Sequence, residues 1–407
     1  MIKMQKLSCG NCRTNVRLDA LAESQFFHLR PIPAVDMFEK TLEQSQEHEV
    51  YPLGVYECPN CRLVQVIESP PSDLFYDNYI YTSTSSSDMA DNFFDLQSAI
   101  LPMLNPKKSK LKVLDIGCND GSFLRLFSED DRYALYGTDP SPVSAKAVDG
   151  CYTLFEEYFP GRLTKSSGPY DLVVGTNSLA HIPNVGHCFS SIKEILAPGG
   201  ILVIEVSDFN EMVARGAWDY IYHEHLYYYT EQSLTAILAS YQLEVFRCDS
   251  IATKGGSLRV FARHREIMDQ SSRPAKINLA SRAISELKAK YSQCMVAYDV
   301  LQSQVNEHNA VYGYGACATG TVTIAQHKLF EEIEYLIDDN PDRQNRFAPY
   351  WAKKVRGLHQ IEFSDDDIVI VFAWRFYDRI LENIQGYCTE QSMPMPRVVR
   401  SIPLDLQ

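Results

Sequence analysis

The sequence lacks long apolar segments. No stretch approaches the roughly 20 consecutive apolar residues that a membrane-spanning helix needs, and the start of the chain, MIKMQKLSCGNC, contains no apolar core of a signal peptide. Basic residues are scarce relative to acidic ones: 38 Lys and Arg against 52 Asp and Glu give a net charge of -14. That charge repels phosphate backbones. We therefore expect a cytoplasmic protein that binds neither membranes nor nucleic acid.

The remaining composition is that of a folded protein. Hydrophobic residues make up 45% of the 407 positions and charged residues 22%, which argues against disorder. A chain of this length accommodates two or three domains. Because no export signal accompanies them, the eleven cysteines are more typical of thiols and metal ligands than of disulfides.

Three regions differ in their patterns. Residues 1–70 contain two Cys-x-x-Cys pairs and little helical periodicity. Residues 71–265 begin with a tyrosine- and serine-rich segment and a helix near 89–104, and then alternate short apolar runs with amphipathic stretches, which indicates a largely parallel α/β sheet. Residues 266–407 begin with a long helix, in which Leu279, Ala283, Leu287 and Tyr291 share one face, and continue with a second α/β pattern. The predicted strands are 113–116, 134–138, 171–175, 201–205, 311–314, 335–337 and 368–372.

The two cysteine pairs have the spacing of a tetrahedral zinc–thiolate site. Cys9 and Cys12 lie in CGNC, and Cys58 and Cys61 lie in CPNC. Redox-active pairs and a nucleic-acid-binding zinc ribbon are alternatives, the second disfavoured by the acidic charge. We interpret the four cysteines as ligands of a structural zinc, since four protein ligands leave no open position for catalysis.

A glycine turn follows the first predicted strand of the second region. In VLDIGCNDGSF, Gly117 and Gly121 would let the backbone approach a ligand, and Asp139 at the end of the next strand would accept hydrogen bonds from ribose hydroxyls. The acidic residues Asp115 and Asp120 would repel a pyrophosphate but suit an ammonium and a sulfonium. The turn therefore favours S-adenosylmethionine over a dinucleotide, with a turn that binds no ligand as the alternative.

Consecutive motifs resemble those of the sugar C-methyltransferases, which methylate a ring carbon of nucleotide-linked deoxysugars. The motifs are LDIGCNDGSF, YGTDPSPV, DLVVGTNSLAHIPN, LAPGGILVIEV, WDYIYHEHLYYYT and GGSLRVFA in the second region, and YGYGACATGTV, IDDNPDRQ and FAWRF in the third. The resemblance implies an α/β protein with three parts. These are a small N-terminal zinc-binding domain, a class I methyltransferase Rossmann-like domain and a C-terminal Rossmann-like α/β domain that binds substrate.

The resemblance also implies where the ligands bind. S-adenosylmethionine would lie at the ends of the central strands, and the sugar nucleotide between the second and third domains. The implied cofactor-binding residues are Asp115, Gly117, Asn119, Asp120, Gly121, Asp139 and Asn177. The implied substrate-binding residues are the lid tyrosines Tyr76, Tyr79 and Tyr81 together with Gly313, Gly315, Asp338, Asn340 and Trp374.

The segment YIYHEHLYYY fits the chemistry of methylation beside a ketone. Removing a proton α to a carbonyl needs a general base with a pKa near neutrality, for which histidine is best suited. We assign His225 as the base and Tyr222 as the donor to the developing enolate or as a member of the proton relay. Glu224 would orient an imidazole or contact the sugar, and His181 would assist. His223 is predicted to point away, because adjacent residues rarely share a face.

Alternatives remain open at this segment and for the whole chain. His223 and His225 could bind a metal, and the aromatic residues could form ordinary core. The chain as a whole could be an NAD-dependent nucleotide-sugar oxidoreductase or a zinc-containing ligand sensor without catalysis. Our leading prediction is S-adenosylmethionine-dependent methylation at C3 of a nucleotide-linked 4-keto-6-deoxy sugar by a monomer or weak homo-oligomer.

Overall fold

The computed structural model describes residues 6–71, 73–76, 82–83, 87–265, 280–304, 310–329 and 331–402. Tyr79, Tyr81 and Leu279, which we had assigned to the lid and to the long helix, lie outside these residues. None of the helices in the described ranges combines the length and the apolarity needed to cross a membrane.

The N-terminal unit is built from short antiparallel strands. Its elements are β1 (Lys6–Ser8), β2 (Asn15–Arg17), β3 (Phe26–Pro33), α1 (Leu42–Gln46), β4 (Val50–Glu57) and β5 (Val64–Val66). β1 and β2 form a hairpin, while β3, β4 and β5 form consecutive antiparallel neighbours in a second sheet.

The central unit is a twisted sheet flanked by helices. Its strands are β6 (Leu111–Ile116), β7 (Tyr133–Thr138), β8 (Thr153–Phe155), β9 (Tyr170–Thr176), β10 (Leu196–Ser207), β11 (Tyr227–Tyr228), β12 (Leu243–Ile251) and β13 (Ser257–His264). Its helices are α2 (Asp73–Tyr76), α3 (Ser87–Ile100), α4 (Ser122–Arg125), α5 (Pro142–Ala147), α6 (Arg162–Ser167), α7 (Val185–Ile195), α8 (Phe209–Arg215) and α9 (Glu231–Ser240).

Seven of these strands form one sheet in the order β8-β7-β6-β9-β10-β13-β12. All are parallel except β13, which runs antiparallel to both of its neighbours. The chain moves outward from β6 to β8 and then returns to β9 on the other side of β6. Ligands of open α/β sheets bind at such a switch, beside the carboxyl ends of the strands. β11 lies elsewhere: it pairs with β5 and so extends the N-terminal sheet.

The C-terminal unit is a second parallel sheet. Its elements are α10 (Ala280–Gln304), β14 (Val311–Tyr314), α11 (Ala318–His327), β15 (Ile333–Ile337), β16 (Val355–Arg356), β17 (Ile368–Val371), α12 (Tyr377–Gln391) and β18 (Arg397–Arg400). The strand order β16-β15-β14-β17-β18 again reverses direction beside the first strand, here between β14 and β17.

The predicted elements are confirmed with shifted ends. The helix predicted at 89–104 ends at Ile100 and continues as a 3₁₀ turn over Leu101–Met103, because Pro102 cannot donate the next helical hydrogen bond. The long helix α10 buries Leu287 against the N-terminal sheet and α8, with Ala283 and Tyr291 in the same apolar cluster. It therefore packs along the other units rather than only connecting them.

A buried ion pair ties the central sheet to α3. Arg259 on β13 donates to Glu205 on β10 at 2.5 Å, and the side chains of both residues are almost completely buried. Asn92 donates to the other oxygen of Glu205 at 2.8 Å and accepts from Arg259 at 2.8 Å. Thr253 donates to the same amide oxygen of Asn92 at 2.9 Å. The network is fully hydrogen-bonded, which a buried charge pair requires.

Removing one partner should destabilise the protein strongly. We expect Arg259→Met to lower the free energy of unfolding by about 3 kcal/mol or more, because Glu205 would remain buried without its counter-charge. Arg263→Met is the matched control on the same strand, since Arg263 pairs with Glu244 at the surface and should cost less than about 1 kcal/mol. Urea unfolding followed by circular dichroism measures both. Equal unfolding midpoints for the two variants would contradict the role of the network.

Candidate functional site

Two matching turns bring the four predicted zinc ligands together. In the first, the Cys9 N–H donates to Thr14 O at 3.0 Å and the Arg13 N–H to Cys9 O at 3.0 Å. The second repeats this arrangement, with Cys58 donating to Leu63 O and Arg62 to Cys58 O, both at 2.9 Å. Arg13 and Arg62 are both left-handed, with φ of 61° and 65°. The turns therefore present their sulfurs in the same way.

The sulfur positions fit a tetrahedral ion. All four Sγ atoms lie within 4.8 Å of one another; Cys9 and Cys61 are 3.5 Å apart and Cys12 and Cys58 are 3.6 Å apart. Zinc–sulfur bonds of about 2.3 Å at tetrahedral angles separate sulfurs by about 3.8 Å. Gln65 donates to the Cys9 sulfur at 3.2 Å. Within the described residues, this is the only group of three or more potential ligand side chains close enough to hold a metal, so the alternative site at His223 and His225 is not formed.

The glycine turn after β6 is bound to the end of β7. Gly117, Asn119 and Gly121 all have positive φ, between 50° and 74°. The Gly117 N–H donates to Thr138 O at 2.8 Å, and the Asn119 N–H donates to Asp139 Oδ2 at 2.9 Å. A Cβ on Gly117 would lie 2.5 Å from the Cβ of Ser178. Glycine is thus required by the backbone conformation and by the packing of the neighbouring loop.

Acidic side chains surround this turn. Asp115 is buried, and its Oδ1 has no hydrogen-bond partner among the described residues. Burial, together with the charges of Asp139, Asp120 and Glu205, raises the pKa of Asp115 to about 8. Such a group gains a partner when an ammonium binds. The residues present therefore fit S-adenosylmethionine, whose ammonium Asp115 would hold.

The carboxylates of Asp139 and Asp120 accept hydrogen bonds mainly from nearby turn residues. Asp139 Oδ1 accepts from the N–H and the hydroxyl of Ser141, while Oδ2 accepts the one bond from Asn119 and so retains a lone pair. Asp120 Oδ1 accepts from the N–H and hydroxyl of Ser122. Asn177 follows β9 with φ of 55° and donates its N–H to Glu205 O at 2.8 Å. It thereby lies between the ends of β9 and β10.

The predicted base forms a pair with Tyr222. The His225 Nδ1 lies 3.3 Å from Tyr220 O; since a carbonyl only accepts, the ring proton is assigned to Nδ1. Nε2 is then an acceptor, and it receives the Tyr222 hydroxyl at 2.9 Å. Burial, with His181 and Lys254 nearby, lowers the pKa of His225 well below 6.5. At neutral pH the imidazole is uncharged and can accept a proton, although its pKa lies below the near-neutral value expected from the sequence.

His181 and Glu224 surround this pair. His181 ends the 3₁₀ turn Leu179–His181 after β9, and its ring lies edge-on to that of His225 with centroids 5.2 Å apart. Burial raises the pKa of Glu224 to about 8, with Asp36 contributing and Lys254 opposing, so this carboxyl is largely protonated at neutral pH. It makes no hydrogen bond to the imidazole of His181 or of His225.

His223 points to the other side of the segment, as predicted. Its Nε2 donates to Pro52 O of the N-terminal sheet at 3.0 Å, and its ring packs against Tyr51. Its backbone carbonyl accepts from the Ser69 hydroxyl. Two histidines only two positions apart therefore serve different units of the fold.

Two residues near the base escaped the sequence analysis. The carbonyl of Tyr220 fixes the His225 tautomer, and only the three-dimensional structure shows this contact. Lys254 lies in the 3₁₀ turn Thr253–Gly255 between β12 and β13, with φ of 53°. Its charge lowers the pKa of His181, to about 4, as well as that of His225, although burial is the larger cause for both. The sequence signal that could have identified Lys254 is its position directly before two glycines at the carboxyl edge of the sheet.

The C-terminal unit repeats the bonding of the first glycine turn. Gly315 donates to Ile337 O at 2.7 Å, and Asp338 accepts from Ala316 N–H and from Asn340 N–H, both at 2.9 Å. Gly315 has φ of 103°, and a Cβ there would lie 2.8 Å from the backbone nitrogen of Ala373.

Two other predicted substrate residues, Gly313 and Trp374, make their contacts within the protein. Gly313 lies within β14, where a Cβ would lie 2.4 Å from the ring of Phe372. Trp374 donates its indole N–H to Asp219 of the central unit at 2.9 Å. Tyr76 is the last residue of α2.

Comparison with known proteins follows the division into units. Residues 90–247 match the family model of a methyltransferase domain, and residues 252–396 match that of a C-methyltransferase C-terminal domain. The C-methyltransferase NovU of Streptomyces niveus is 24% identical over 372 residues, which are 86% of this chain and 88% of the relative.

Solved structures of lower sequence identity cover a little under half of the chain. Magnesium protoporphyrin IX methyltransferase of Synechocystis, with bound S-adenosylhomocysteine, is 17% identical over 44% of this chain and 84% of its own, with a TM-score of 0.35. The PH0226 protein of Pyrococcus horikoshii is 16% identical over 46% of this chain and 95% of its own, with a TM-score of 0.36.

The two family models are adjacent on one chain, and the relative spans both. The central sheet, with its one antiparallel strand and its glycine turn at the switch, is a class I methyltransferase domain. The chain thus combines a methyltransferase domain with the C-terminal domain of C-methyltransferases, and these matches support an S-adenosylmethionine-dependent C-methyltransferase.

Proposed function

We propose that the enzyme methylates C3 of a nucleotide-linked 4-keto-6-deoxy sugar. The observation that carries this proposal is the His225 imidazole, which is uncharged and has its Nε2 held as an acceptor beside a phenol. A C-methyltransferase must generate a carbon nucleophile, and a C–H group next to a ketone yields one when a base removes its proton. The C-methyltransferase NovU matches this chain over 88% of its own length, which supports the same reaction class.

The residues near His225 have complementary tasks. Bound S-adenosylmethionine supplies an electrophilic methyl group. His225 Nε2 takes the proton from C3, and the electron pair of that C–H bond passes to the ketone oxygen as an enolate. The Tyr222 hydroxyl, released from Nε2 by the substrate, donates to this oxygen; its pKa is raised well above 10, chiefly by burial, so it is protonated at neutral pH. C3 of the enolate then accepts the methyl group.

The cofactor and the base meet at one edge of the sheet. Ser178 contacts the glycine turn after β6 and donates to Ile116 O at 2.5 Å. Three residues later the same loop reaches His181, which contacts His225. We assign the cofactor to the β6 turn, with Asp115 on its ammonium. The sugar then occupies the space between this turn and His225, and the C-terminal turn at Gly315, Asp338 and Asn340 receives the nucleotide.

We further propose a structural zinc at Cys9, Cys12, Cys58 and Cys61. The sulfur separations fit a tetrahedral ion. The site is removed from the base along the chain but not in the fold, because the ring of Tyr227 packs directly on Gly10 of the first turn. Zinc would thus stabilise the segment that carries His225 without taking part in the chemistry.

The role of His225 can be tested against its neighbour. We expect His225→Gln to lower turnover at least about 100-fold, because the general base is lost, while S-adenosylmethionine still binds. His223→Gln is the matched control and should retain turnover, since the amide can donate to Pro52 O in place of Nε2. Methyl incorporation into a panel of nucleotide-linked 4-keto-6-deoxyhexoses, followed by mass spectrometry, measures both. Full activity of His225→Gln would exclude His225 as the base.

Cofactor binding should depend on pH through Asp115. Its pKa of about 8 in the free protein means that the carboxyl is mostly protonated at pH 6, and binding an ammonium must release this proton. Affinity for S-adenosylmethionine should therefore rise between pH 6 and 7.5, approaching tenfold per pH unit, below the pKa of the ligand's own amine. Isothermal titration calorimetry measures it. Asp115→Asn should bind more weakly and without this dependence, and a flat profile in the wild type would refute the assignment.

Metal analysis tests the zinc site. We expect one zinc per chain in the purified protein and almost none in Cys58→Ser, with a lower melting temperature, because a structural site contributes directly to folding. Cys248→Ser is the control, since Cys248 lies on β12 outside the cluster, and it should retain zinc. A zinc-free wild type of unchanged stability, or full zinc occupancy in Cys58→Ser, would contradict the proposal.

A further inference from the structure

The tautomer of His225 depends on one backbone carbonyl. Tyr220 O accepts from His225 Nδ1 at 3.3 Å and from the Tyr228 hydroxyl at 3.2 Å. Tyr220 ends the 3₁₀ turn Trp218–Tyr220, and the Ile221 N–H donates back to Trp218 O at 3.1 Å. In a trans peptide unit the C=O and the N–H point in opposite directions. The closed turn therefore points the Tyr220 carbonyl away from itself and toward the imidazole.

The C-terminal unit holds this turn directly. Trp374 Nε1 donates to Asp219 Oδ2 at 2.9 Å, and Asp219 is completely buried. The other carboxyl oxygen of Asp219 has no partner among the described residues, so the indole N–H is the side chain's principal polar contact. The Trp374 ring also packs on Tyr220, with centroids 6.2 Å apart, and the Arg375 guanidinium lies over the Tyr220 ring at 5.6 Å.

The same contacts connect the turn to the C-terminal glycine loop. Trp374 begins the 3₁₀ turn that follows β17, and Ala373, the residue before it, is in close contact with Gly315. A continuous series of packed groups thus leads from the Gly315 loop through Trp374 and Asp219 to the Tyr220 carbonyl. Trp374 and Asp219, at the centre of the series, are both buried, and such close packing transmits strain.

We infer that Asp219 and Trp374 are positioning residues, through which the C-terminal unit keeps the proton of His225 on Nδ1 and keeps Nε2 as an acceptor. Without the Tyr220 carbonyl in place, Nδ1 would lack its acceptor and the neutral ring could carry its proton on Nε2. That form cannot accept a proton at the position facing Tyr222. The inference about catalysis rests on the proposed function, whereas the inference about the tautomer does not.

The test compares two tryptophans of the same local region. Trp374→Phe removes the N–H that Asp219 accepts and keeps an aromatic ring. Trp218→Phe is the matched control, because the Trp218 Nε1 has no hydrogen-bond partner among the described residues and its ring faces Tyr291 and His327, away from His225. Nitrogen-15 NMR of histidine-labelled protein, without substrate, reports which ring nitrogen of His225 is protonated. The His225 signals are identified by their loss in His225→Gln.

We expect the Nδ1-protonated form in the wild type and in Trp218→Phe, and a mixture of both tautomers in Trp374→Phe. Turnover of Trp374→Phe should fall about 10- to 100-fold, the range seen when a group that orients a functional histidine is lost, with unchanged affinity for S-adenosylmethionine. An unchanged tautomer in Trp374→Phe, or the same change in Trp218→Phe, would overturn the inference.

Asp219 provides a second pair of variants should Trp374→Phe fail to fold. Asp219→Asn retains an oxygen that accepts from the indole and should keep the wild-type tautomer, whereas Asp219→Ala should not. Equal tautomer populations in these two variants would also overturn the inference. Failure of the proposed function can be distinguished from failure of this inference. If His225→Gln retains full turnover, His225 is not the base. The tautomer comparison still decides whether Trp374 positions the His225 ring.

Discussion

The placement of His225 depends on a segment, residues 217–229, that no single unit of the fold holds alone. β11 pairs with β5 of the N-terminal sheet, the Leu226 N–H donates to Ala180 O of the central unit, and Asp219 receives the indole N–H of Trp374. Irregular backbone buried between units must have its polar groups satisfied by those units. The segment that carries the proposed base is therefore held by three units, and His223 and His225, only two positions apart, contact different ones.

This arrangement connects the proposed zinc site to the segment that carries His225. The second cysteine turn follows β4, and β4 is the neighbour of β5, on which β11 is built. Tyr227 on β11 packs against Gly10 of the first turn and donates to Pro183 O at 2.6 Å. An ion that binds both turns would fix the edge of the sheet that carries the residues after His225. The contribution of the proposed ion would be to shape and stability, and it would reach the site through β11 rather than through a metal ligand.

Much of the central unit could be predicted because its signals are local. The strand centres, the positive-φ glycines of LDIGCNDGSF and the acid ending β7 follow from apolar runs and turn chemistry within about thirty residues. The facing of Trp374 toward Asp219 could not be predicted, because it joins residues 155 positions apart. The same holds for β11, which leaves the central unit to extend another sheet. Sequence spacing predicts which residues lie at a strand end but not which unit packs over it.

The two glycine turns use one backbone scheme with different charged neighbours. In each, the glycine N–H donates to the end of the second strand, and an aspartate there accepts from the turn. Beside the first turn lies Asp115, whose Oδ1 has no hydrogen-bond partner among the described residues and so suits a cation. At the second, Arg343 lies between Asp338 and Asp36, with its guanidinium nitrogens at 3.4 and 3.1 Å from their carboxylates. A guanidinium there can exchange a carboxylate for a phosphate. The two turns would then share one backbone conformation. The charge of a neighbouring side chain would decide whether a turn binds a sulfonium cofactor or a nucleotide-linked substrate.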